Sequence, residues 1–90
     1  MSEMIKPTVH MNGTSAADLY HLYADAAMEV GDAIRVVENS APNGRDYYPQ
    51  GDEALKRAVQ EHQARVAKLR VVMDDLQELA GHCAQFVKEP

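Results

Sequence analysis

The sequence predicts an all-α fold: an antiparallel two-helix hairpin with an extended N-terminal arm, assembling as a homo-oligomeric helical bundle. Three observations carry that expectation. Over residues 52–87, Val59, Val66, Met73, Ala80 and Val87 recur at one heptad position, and Leu55, His62, Leu69, Leu76 and Cys83 at a second. Such a repeat without an internal proline marks a long helix that packs lengthwise against other helices. Over 16–38, Leu19, Tyr23, Ala26, Val30, Ala33 and Val37 step alternately by four and three, the signature of a second amphipathic helix. Between them, Pro42, Gly44, Pro49 and Gly51 interrupt both periods.

The chain divides into an arm at 1–14, a first helix at 15–39, a loop at 40–51 and a second helix at 52–88, all within one domain. The arm has Pro7, scattered apolar residues and an Asn12-Gly13 turn signal, with no helical period. Ser15 is the expected N-cap of the first helix, with Asp18 three residues on. Gly31 interrupts that helix at a cost, and the close approach of another backbone explains it most simply. Pro42 stops the helix, and Asp52 is the expected N-cap of the second.

Charge suggests a register. The first helix carries Asp18, Asp25, Glu29, Asp32 and Glu38 against Arg35. Over 56–70 the second carries Lys56, Arg57, Arg65, Lys68 and Arg70 against Glu61, so these segments are expected to face each other. At 1.5 Å per residue the helices span roughly 35 and 50 Å, so about ten residues should overhang. The expected overhang is the C-terminal end, with Leu79, Cys83 and Phe86 needing cover from the arm or another subunit. A column of Ala58, Arg65, Val72, Leu79 and Phe86 widens the apolar stripe there beyond what one helix covers. The expected oligomer interface is therefore His62, Val66, Leu69, Val72, Met73, Leu76, Leu79 and Phe86. His62, polar at a core-facing position, would fix register or oligomeric state.

Composition narrows the function classes. The net charge of −5 disfavours direct nucleic-acid binding, which needs a clustered positive field. No apolar run is long enough to span a bilayer, and the N-terminal stretch lacks the apolar core of a signal peptide. A single cysteine forms no internal disulfide, which suits a reducing cytoplasm. Cys83 follows His82, but adjacent helical residues point apart, so Cys83 reads as a small core residue. Asp18/His21, His21/Asp25 and Glu78/His82 sit at helical spacing and read as surface pairs rather than metal ligands. No phosphate loop, nucleophile elbow or catalytic carboxylate pair appears, so neither an enzyme nor a cofactor is expected.

Contact chemistry concentrates in the 43–50 loop. Arg45 offers a planar charged fork, Tyr47 and Tyr48 offer ring faces and hydroxyls, and Asn43, Asp46 and Gln50 can read hydrogen-bonding edges. This set could anchor a protein interface or grip a nucleotide-like ligand. It could equally cap the open end of the bundle. His10 and Asn12, before the first helix, could join a site on the second helix or belong to an arm that only seals apolar surface.

Val9-His10-Met11-Asn12-Gly13-Thr14-Ser15, followed by Ala41-Pro42-Asn43-Gly44-Arg45-Asp46-Tyr47-Tyr48-Pro49-Gln50-Gly51, resembles short uncharacterised proteins of bacteriophages and prophages. The resemblance implies an accessory phage protein in the cytoplasm of a bacterial host, and transfers no catalytic residue. By analogy with small helical phage proteins that act stoichiometrically, the leading expectation is a non-enzymatic protein that binds and neutralises a host defence protein, with the Arg45–Tyr48 loop and the His10–Asn12 turn as its contact surface. Two alternatives stand beside it: an oligomer that sequesters a nucleotide-type defence signal between subunits, and a structural or regulatory phage component.

Overall fold

The computed structural model describes residues 3–88 and, among them, contains helices and no strand. Helix α1 spans Ala16–Glu38, α2 is a single turn at Gly44–Tyr47 followed by a 3-10 turn at Tyr48–Gln50, and α3 spans Asp52–Ala84. None is long and apolar enough to cross a membrane.

Local chemistry sets the boundaries. The Ser15 hydroxyl accepts the Asp18 backbone N–H at 3.1 Å, the expected cap of α1. At the other end the Asn39 N–H reaches Arg35 O and the Ser40 N–H reaches Val37 O, and Pro42 then prevents another turn. Gly51 rather than Asp52 takes the cap position of α3, at φ +99, a backbone conformation that favours glycine. Asp52 and Glu53 fall in the first turn, where a carboxylate complements the helix dipole. The expected helix to residue 88 stops at Ala84. There the Phe86 and Val87 N–H groups turn back to Cys83 O and Ala84 O.

The long helices pair with opposed order. A Cβ at Gly31 would lie 3.5 Å from Met73 Sδ, Glu38 reaches Arg70 at 3.5 Å, and Ala17 and Tyr20 share a hollow with Ala84 and Val87. That register corrects the expected overhang. The first turn of α1 stands level with the C-terminal end of α3, so the uncovered segment is 52–65 at the N-terminal end, roughly 20 Å of helix. The connection explains why. It runs back along this segment instead of crossing directly, with Gly44 packed near Leu55 and with Tyr47 and Gln50 beside Glu53 and Arg57.

The expected facing of acidic and basic segments fails with it. Most of the basic run lies beyond the end of α1, and among the described residues Glu38–Arg70 is the single ion pair between the two helices. Asp32–Arg35, Glu53–Lys56 and Arg57–Glu61 are pairs within one helix. Exposed ion pairs contribute about 0–1 kcal/mol each, too little to override the path of the connection.

The core is thin. Among the described residues only Ala16, Ala27, Ile34, Ala80 and Cys83 are buried, and four of these five side chains are no larger than cysteine. The molecule measures 62 × 29 × 17 Å with a radius of gyration of 18.9 Å, against about 12 Å for a compact domain of this length. The helix pair is one layer thick. Gly31 also differs from expectation: its nearest neighbour across the pair is the flexible Met73 side chain at ordinary contact distance, not another backbone.

Candidate functional site

The 43–50 segment is ordered by its own side chains. The Asn43 carboxamide oxygen accepts the Arg45 backbone N–H at 2.9 Å and so caps α2, which occupies that oxygen and leaves only the amide NH2 to meet a ligand. Asn followed by Gly-Arg-Asp is a helix-start signal that the sequence carries openly. Tyr47 turns inward to half-burial beside Ala54 and Ala58, while Arg45, Asp46 and Gln50 are exposed and Tyr48 is 77% exposed. The adjacent tyrosines thus divide. One packs the connection onto α3, and the other presents a free ring with its hydroxyl.

The shallow hollow at this end is lined by Tyr47, Gln50, Arg57 and two carboxylates, Glu53 and Glu61. Arg57 and Glu61 approach within 3.7 Å. A phosphate group would meet two negative charges for one guanidinium already engaged, so the hollow is poorly suited to an anion. An uncharged or cationic surface fits better.

His10 and Asn12 lie at the opposite end. The Gly13 N–H donates to His10 O at 3.1 Å, and the His10 ring folds so near Gly13 that a Cβ there would stand 2.8 Å from Nε2. This turn borders a hollow shared by Val9, Met11, Ala16, Phe86 and Lys88. From Leu55, beside the connection, to Phe86 is roughly 45 Å along α3. Within one chain the His10–Asn12 turn and the Arg45–Tyr48 turn therefore do not form one surface, contrary to the expectation that joined them.

The arm is held by residues that pattern reading assigned elsewhere. His82 Nε2 meets Pro7 O at 2.8 Å, and Lys6 Nζ lies 3.1 Å from Glu78. Glu78 and His82, expected as a surface pair with each other, each bind the arm instead. His82 also stacks edge-on against Phe86, with centroids 5.4 Å apart. The signal is their four-residue spacing on the outer side of α3, which places both under one passing segment of the arm.

The expected oligomer-interface residues are not all equivalent. Met73 faces Gly31 across the helix pair, while His62 and Val66 line a hollow with Glu38 and Arg70. Leu69, Leu76 and Leu79 are half-buried, and Val72 and Phe86 are 45% and 48% exposed. Among the described residues no three His, Cys, Asp or Glu side chains gather as a metal-binding group. Comparisons with protein-family models, with curated proteins and with solved structures found no match to this chain.

Proposed function

We propose that this chain is a non-enzymatic binding protein whose working form is a self-associated bundle of antiparallel helical hairpins. The observation that carries the reading is the thin core: among the described residues, five apolar residues are buried, four of them no larger than cysteine, against ten large side chains left exposed. A single layer of two helices leaves one face of each apolar stripe wet, and a second layer removes that cost. The specific contact is the exposed Tyr48 and Arg45 turn, an aromatic and a guanidinium of the kind that anchor protein interfaces. In the phage setting implied by the two motifs, its partner is a host protein that is blocked stoichiometrically. The carboxylates beside this turn weigh against the nucleotide-sequestering alternative.

Size-exclusion chromatography with light scattering tests the assembly: a mass of at least twice the chain mass at micromolar concentration is expected, and a stable monomer sinks the reading. Affinity capture from bacterial lysate tests the partner. One stoichiometric protein should be retained by the wild type and lost on Tyr48→Ala with helicity unchanged. Retention by Tyr48→Ala and Arg45→Ala alike would remove this turn from the contact.

A further inference from the structure

The two broad faces of the helix pair differ. One carries a shallow groove lined by Tyr20, Ala24, Gly31, Gln77 and Gly81. At about 100° per residue, Leu22, Ala26 and Val30 of α1 and Val72, Leu76 and Leu79 of α3 fall on the other. On that face Leu22 is 63% exposed and Val72 45%, while Ala26, Val30, Leu76 and Leu79 are half-buried. The stripe runs continuously across both helices, which places half of the interface on α1, where the heptad reading of α3 alone did not look.

We infer that a second copy of this chain docks on this face, antiparallel to the first, about a two-fold axis that passes near Val72. The inference rests on the self-association reading and adds to it which face meets and in which direction. Area and charge identify the occupant. The chain exposes 7166 Å², roughly 1,900 Å² more than a folded monomer of its mass. A standard interface removes about 800 Å² from each partner, well within that excess. A two-fold contact uses the same patch on both copies, so this apolar face would meet itself.

Charge sets the direction. Over 56–70 of α3, after the acidic first turn of Asp52 and Glu53, Lys56, Arg57, Arg65, Lys68 and Arg70 stand against Glu61. Asp74, Asp75 and Glu78 follow with no cation among them, and the neighbouring α1 adds Asp18, Asp25, Glu29 and Asp32 against Arg35. Each molecule therefore has a basic stretch at 56–70 and an acidic half beyond it. Parallel docking places like on like. Antiparallel docking lays the basic 56–70 run, which includes most of the overhang, against the acidic half of the partner, which supplies cover that α1 does not.

Single cysteines and a short bis-maleimide test this, with native Cys83 left in place because it is fully enclosed. Val72→Cys should cross-link to its own copy. Phe86→Cys should not, because antiparallel docking holds the two copies of that residue roughly 40 Å apart. Leu22→Glu should reduce the mass measured by light scattering to that of one chain, while Met28→Glu, on an exposed site off this face, should leave it unchanged. Cross-linking of Phe86→Cys, or dissociation by Met28→Glu but not by Leu22→Glu, overturns the face or the direction while the self-association reading stands. A monomeric wild type overturns both.

Discussion

Over 66–84, α3 has α1 along one side and the arm along another; over 52–65 it has only the short connection. The heptad pattern is the same in both halves, yet Ala80 and Cys83 are buried in the first and no residue is buried in the second. An apolar repeat sets which side of a helix can be buried. What arrives opposite that side decides whether it is. The connection covers its half with Tyr47 and Gly44, whereas α1 brings Ile34 and Ala27 to the other.

Core truncations separate the halves most strongly. Ile34→Ala, at a site 4% exposed, should lower unfolding free energy by about 2–5 kcal/mol. Leu55→Ala, half-buried in the other half, should cost only about 1 kcal/mol on transfer grounds. Urea denaturation measured at two protein concentrations checks the contrast. A Leu55→Ala cost that equals that of Ile34→Ala and grows with concentration would mean that the partner completes this half.

A smaller effect is expected at the arm. His82→Ala removes the bond to Pro7 O, worth about 1 kcal/mol. Amide exchange should accelerate over residues 6–13 and remain unchanged in the middle of α1. Equal acceleration in both would show the arm to be part of the core's cooperative unit. The smallest effect has the opposite sign. Gly31→Ala places a Cβ at ordinary contact distance from Met73 Sδ, so relief of the helix penalty should stabilise the chain by up to about 1 kcal/mol. Destabilisation there would mean that the helix pair is tighter than its geometry.

The elements were legible because their signals are local: Ser15 capping α1, Pro42 ending it, and the heptads running through α3. The register was not. It depended on the path of the connection, where Asn43 starts a helical turn and Tyr47 pins it to α3, while the opposed charges that suggested another alignment are weak in water. Of the candidate contact residues, Arg45 and Tyr48 are exposed, but Asn43 and Tyr47 are committed to the connection itself. Sequence shows that a tyrosine pair is present, but not which ring turns inward. His10 and Asn12 are in the arm's terminal turn, where one-dimensional reading had no means of measuring their distance from the loop.

Cys83 is the chain's sole thiol and has no exposed surface. An alkylating reagent can reach it only when the end of the molecule that joins the arm, the first turn of α1 and the last of α3 comes apart. Its modification rate is therefore a native stopwatch for that opening, readable by mass without adding a probe.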